Sequence, residues 1–243
     1  MSEKTLSFFS KPVTLILSLV YYFFSAVTFI FTFFGLIDIE EISEQADGVV
    51  LVKILQYSFS VFLLLCAIVY LLLYISSKRS EKKFRIALIM LKIEASLEIA
   101  FDVFLVIIFF ILLLVVGFVA ITTAFLFLPS IIISGLIITV VSIVLSIIFV
   151  ANITRNIAKL LFAGAVRKNL NRNKSRGASL FYAIMNFFSA GIAFVAALLF
   201  LFLMNGNNGL FFAVFTASLI PPYVLNGFLV TKYCSEKQES VRT

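Results

Sequence analysis

The chain has 243 residues, 63% of them hydrophobic and only 13% charged, against about 45–50% and about 25% in soluble globular proteins. That balance excludes a soluble domain and places the chain in a bilayer, where crossings are counted instead of domains. The net charge of +7 does not point to nucleic acid, because the basic residues lie in short segments between apolar runs, the pattern that orients membrane proteins.

Six apolar runs, at residues 13–37, 54–75, 103–127, 130–151, 178–204 and 210–231, are each long enough to cross as a helix and far too long for barrel strands. They predict an all-α, polytopic membrane helical bundle of six transmembrane helices, forming one integral membrane domain over 1–243. The first run follows Lys4 and Lys11 but exceeds the core of a cleavable signal, so it is read as a retained span. Within it Ser18, Ser25 and Thr32 recur one heptad apart, a seam that lets a neighbouring helix approach.

The connection after it carries Asp38, Glu40, Glu41, Glu44 and Asp47 against Lys53. The second run contains Cys66, read as a small core hydrophobe. Cys234 lies beyond the last run, and neither cysteine has CxxC spacing, so no disulfide, metal or cofactor is expected. The next connection is basic, with Lys78, Arg79, Lys82, Lys83 and Arg85 against Glu81.

Glu94, Glu98 and Asp102 follow at intervals of four, which puts them in one stripe on a helix. The six-span pattern sets them at the cytoplasmic edge of the third span. There they benefit from the helix N-terminus by about 0.3–1 kcal/mol each and pair electrostatically with the basic connections. A cation site built from their oxygens is the functional reading of the same stripe. Moving the span back to 86–106 and adding a seventh crossing buries the acids, at about 2.5–3.5 kcal/mol per charge; it is not adopted.

Leu128-Pro129-Ser130 joins the third and fourth spans, and the fourth repeats Gly135, Thr139, Ser142 and Ser146. Residues 152–177 carry seven basic side chains and no acid. Arg155, Lys159, Arg167 and Lys168 alternate with apolar residues at helical spacing there, which predicts an interfacial helix that binds anionic lipid or docks a cytosolic partner. The fifth span has Ala183, Asn186, Ala190, Ala193 and Ala197 on one seam, and the uncharged turn Asn205–Gly209 leads to the sixth.

In the sixth span Pro221 and Pro222 remove two backbone donors, so the helix is expected to break near Ala217–Ile220. Tyr223, Asn226 and Asn186 are the polar side chains placed to satisfy the freed carbonyls. Broken helices expose backbone near the midplane of many transporters, which makes these five residues the candidate site.

Basic connections alternate with acidic or neutral ones, so both termini are expected in the cytoplasm, with the protein in the plasma membrane. The absence of His and of nucleotide or nucleophile motifs argues against an enzyme. The expectation is a permease-like transport subunit for a small uncharged or amphipathic solute, working with a cytosolic partner. The alternative is a non-catalytic assembly protein that binds lipid or other membrane proteins.

Overall fold

A computed structural model describes residues 3–33, 46–124, 128–169, 177–203 and 213–242, and every element among them is helical. A short α1 (Glu3–Phe9) precedes α2 (Pro12–Phe33), α3 (Ala46–Arg79), α4 (Glu81–Ala124), α5 (Leu128–Asn169), α6 (Gly177–Leu203) and α7 (Ile220–Arg242). The acidic residues 38–44, the basic residues 172–176 and the turn 205–209 lie outside the described residues.

Among the described residues, five stretches are long and apolar enough to cross a membrane: Pro12–Phe33, Tyr57–Arg79, Ser146–Lys168, Gly177–Phe202 and Ala213–Ser235. The protein is therefore a multi-pass membrane protein. Four of the five coincide with expected spans. The fifth, Ser146–Lys168 in α5, overlaps the expected span 130–151 and takes in the segment expected to lie on the cytoplasmic leaflet, while residues 130–145 and most of 108–127 lie where side chains are not described. Nothing interrupts the helix there, since Leu128–Asn169 contains Pro129 alone, and a first-turn proline is tolerated because its missing N–H has no intrahelical partner. With 44 residues in α4 and 42 in α5, both helices are roughly 65 Å long. A hydrocarbon slab of about 30 Å holds only part of each.

From α2 onward each helix packs against the next, α1 packs on α3, and α7 closes back onto α2. The small-residue seams set this packing. Ser18 Oγ donates to the Ala67 carbonyl at 2.7 Å and Ser25 Oγ to the Ser60 carbonyl at 2.8 Å, while Ser60 Oγ donates to Thr28 Oγ1 at 2.9 Å. Outside, α2 presents Leu19, Tyr22, Phe23 and Phe33. The polar face is buried and the apolar face is exposed, as lipid requires. Ala183, Ala190, Ala193 and Ala197 of α6 are buried in the same way, so that seam serves the chain's own bundle. Gly135, Thr139 and Ser142 fall where side chains are not described, and Ser146 is exposed.

The expected helix break is present. Residues 213–217 are helical, Ser218 and Leu219 form a turn, and α7 starts at Ile220. Pro221 and Pro222 thus open a helix instead of kinking one, in the first turn where their missing N–H groups cost least. In the turn, Leu219 N–H reaches back three residues to the Thr216 carbonyl at 3.2 Å, and Ser218 Oγ donates to the Phe215 carbonyl at 2.6 Å.

The end of the bundle where α3 meets α4 is closed by aromatic rings. Phe8 and Phe9 of α1 pack on Tyr233, and Phe9 also meets Phe84 and Phe162. At Gly227 of α7, an added Cβ would lie 2.8 Å from Phe187 Cζ. Gly227→Ala is expected to cost about 1 kcal/mol, the low end for overpacking, because the ring can swing toward lipid. Unfolding in detergent reads this, and partial recovery in Gly227→Ala with Phe187→Leu assigns it to the ring.

Candidate functional site

The acidic stripe of α4 lies inside the bundle. α4 begins at Glu81, so Glu94, Glu98 and Asp102 are in the helix interior and its N-terminal dipole does not hold them. Facing them across the α4–α5 hairpin are Arg155 and Lys159 of α5, which are also buried. Both pairs of charges step by four, so the hairpin sets Glu94 against Lys159 and Glu98 against Arg155.

Lys159 Nζ donates to Glu94 Oε1 at 2.5 Å and lies 3.5 Å from Glu98 Oε2. Arg155 donates to Glu98 Oε2 and to Asn156 Oδ1, each at 3.2 Å. Asn156 Nδ2 in turn reaches Asp102 Oδ2 at 3.5 Å. From α3, the Cys66 thiol donates to Glu94 Oε1 at 2.8 Å and to Glu98 Oε1 at 3.4 Å. Cys66 is therefore buried as expected, but as part of an ionic cluster and not as a plain apolar filler. Glu94 Oε2 and Arg155 Nε are buried with no hydrogen-bond partner among the described residues.

Cys66 lies within Tyr57–Arg79, and Arg155 and Lys159 lie within Ser146–Lys168, both stretches apolar enough to cross a membrane. At the same level the outward faces are apolar: Ile93 and Leu97 of α4 are each 49% exposed, and Ile157 and Leu161 of α5 are 44% and 52% exposed. An interfacial helix would turn its charges outward to water and headgroups. Here the charges point in and the aliphatic side chains point out, the reverse of the arrangement expected of Arg155, Lys159 and the acids at an interface. Arg167 and Lys168, in the last turn of α5, remain exposed.

A neutral network adjoins the cluster. Tyr70 OH donates to Asn226 Oδ1 at 2.9 Å, and Asn226 Nδ2 donates to Tyr182 OH at 2.6 Å and to Asn186 Oδ1 at 3.2 Å. The two tyrosine hydroxyls lie 3.3 Å apart, which closes a ring of bonds among α3, α6 and α7. Asn226 thus bonds side chains of α3 and α6, and Asn186 Nδ2 donates to the Tyr182 carbonyl of its own helix at 2.7 Å. Tyr223 joins the network to the charges: the Arg155 guanidinium lies 4.0 Å from its ring centre, and its hydroxyl donates to Asn152 Oδ1 at 3.3 Å.

Of the expected site residues, Asn186, Asn226 and Tyr223 come together in the interior, while Pro221 and Pro222 shape the helix that carries two of them. The cluster itself joins the acid stripe to the basic segment, an electrostatic pairing expected at the membrane edge and found here between buried helix faces, and adds Cys66, Asn152, Asn156, Tyr70 and Tyr182. No protein-family model, curated protein or solved structure matches the chain.

Proposed function

We propose that the chain is a permease-like transport protein, not an enzyme, that carries a cation across the plasma membrane by way of the cluster between α3, α4 and α5. It crosses the bilayer six times, with α4 as the sixth crossing and both termini in the cytoplasm. The observation that carries this reading is the burial of Glu94, Asp102, Arg155 and Lys159, with Glu98 nearly buried beside them, inside helices apolar enough to cross a membrane.

Stability alone does not account for such a group. Each charge costs about 2.5–3.5 kcal/mol at the bilayer centre, and buried ion pairs can often be replaced by apolar residues without loss. Intramembrane ionisable side chains mark ion and substrate pathways. The set also holds three carboxyl groups against two cationic side chains, so a mobile cation suits it better than the uncharged solute expected of an interior without charge. Lys78, Arg79, Lys82, Lys83, Arg167 and Lys168 gather at the end where α3, α4 and α5 meet their connections, which supports a cytoplasmic orientation. That end also offers anionic lipid or a cytosolic partner a basic surface. The assembly reading loses its best feature, because the alanine seam of α6 is covered within the bundle.

Proteoliposomes loaded with a pH-sensitive dye or a Zn²⁺-sensitive dye test the proposal under a potassium diffusion potential. Protein-containing vesicles are expected to admit one of the two cations faster than empty vesicles, and Glu98→Gln is expected to remove most of the difference. Equal rates in wild-type and empty vesicles for both ions contradict it.

A further inference from the structure

We infer that Cys66, Glu94 and Glu98 form a binding site for a borderline-soft divalent cation of the zinc class, and that the Lys159 ammonium is the resident cation the metal displaces. The Cys66 sulfur and one oxygen from each carboxylate lie within 4.8 Å of one another. Lys159 Nζ is 2.5 Å from Glu94 Oε1, 3.5 Å from Glu98 Oε2 and 3.8 Å from Cys66 Sγ. One positive charge on a flexible side chain therefore already sits against the donor set.

Glu94 supplies an independent observation. Its side chain is 3% exposed, and Oε2 is buried with no hydrogen-bond partner among the described residues. An unmatched carboxylate oxygen at this depth is costly, and a metal ion or a metal-bound water would meet it. The chemistry of the set selects the ion class. Sulfur with two carboxylates suits zinc and its softer neighbours and disfavours magnesium and calcium, which take oxygen alone. Three protein donors leave a fourth position for water, the pattern of open zinc sites as distinct from closed structural ones. Binding sends the thiol proton to solvent. Two carboxylates, a thiolate and a divalent ion then carry the same net charge as two carboxylates, a thiol and an ammonium.

The role in transport rests on the function proposed above, but binding itself does not, and it can be measured without a membrane potential. In detergent, Cd²⁺ is titrated into the Cys234→Ser protein, whose one thiol is Cys66, and the thiolate-to-cadmium absorption band is followed. One equivalent is expected to bind, with Zn²⁺ competing and excess Mg²⁺ not competing. Cys66→Ser in the same background removes the band while leaving the melting temperature close to that of the parent. Lys159→Met, which removes the competing ammonium, tightens binding by about tenfold or more and gains melting temperature when Cd²⁺ is added. Absence of the band at millimolar Cd²⁺ in the Cys234→Ser protein overturns the inference, whether or not Lys159→Met folds. Binding without flux in vesicles keeps the site and removes the transport reading. Flux of protons without binding keeps transport and removes the site.

Discussion

Replacing Lys159 with Met, in the absence of metal, is expected to destabilise the protein by about 3–5 kcal/mol, the usual cost of stranding one partner of a buried ion pair. Lys159 is 2% exposed and its ammonium touches both Glu94 and Glu98. The methylene stem is retained in Met, so packing changes little and the loss is electrostatic: Arg155 alone remains to balance two adjacent carboxylates and Asp102. Equilibrium unfolding in mixed micelles reads the change. Exchanging the charges, with Glu94→Lys and Lys159→Glu together, is expected to recover more than half of it, because the pair is restored with its ends reversed. A loss below about 1 kcal/mol would mean that the pair is hydrated like a surface salt bridge.

Asn226→Leu is expected to cost about 2 kcal/mol. Asn226 is buried and makes hydrogen bonds with Tyr70, Tyr182 and Asn186, and interhelical bonds in membranes average about 0.6 kcal/mol each. Three such bonds give about 2 kcal/mol, and Leu fills a similar volume without replacing any of them. The sequence assigns this residue to the carbonyls freed at the helix break. Its hydrogen bonds show that it joins three helices. The same unfolding titration checks the figure, with Tyr70→Phe as the companion: it removes the hydroxyl that donates to Asn226 and leaves the stacked contact with Tyr21, at 5.6 Å between ring centres. Equal stability of Asn226→Leu and wild type would show that the network is not a determinant of the fold.

The parts of the fold legible in the sequence are those that depend on one helix at a time. Runs 13–37, 54–75, 178–204 and 210–231 match α2, much of α3, α6 and the span ending in α7, since unbroken apolar length is what the hydrocarbon slab selects. The break at Ser218–Leu219 was legible because two missing proline donors act within one turn. The short α1 carried no such signal: its Phe8 and Phe9 are held by rings from α4, α5 and α7.

The cluster was hidden because hydropathy treats every charge as if it faced lipid. Four charges that cancel across a helix pair do not carry that penalty, and cancellation is a property of two helices. A signal was nonetheless present. Glu94 and Glu98 lie as far before the end of α4 as Lys159 and Arg155 lie after the start of α5, to within one residue, so a straight antiparallel hairpin brings opposite charges together twice. The single residue Ser80 between α3 and α4 likewise makes Cys66 and Glu94 equidistant from a turn. Equal spacing about a tight turn is the pattern that reveals such a site, whereas composition along one strand of the hairpin suggests a surface helix.

The claim on which the functional reading rests is that the ion pairs lie inside the hydrocarbon and not at the headgroups. Spin labels attached to single cysteines at Leu97 and Leu161, the outward neighbours of the pairs, with Cys66 and Cys234 replaced by Ser, measure that depth directly in reconstituted vesicles. Both labels are expected to collide strongly with oxygen and weakly with a water-soluble nickel chelate, as a label at mid-span Leu64 would. Stronger collision with the nickel chelate than with oxygen at both sites would return the acids and their partners to the membrane surface and contradict the claim.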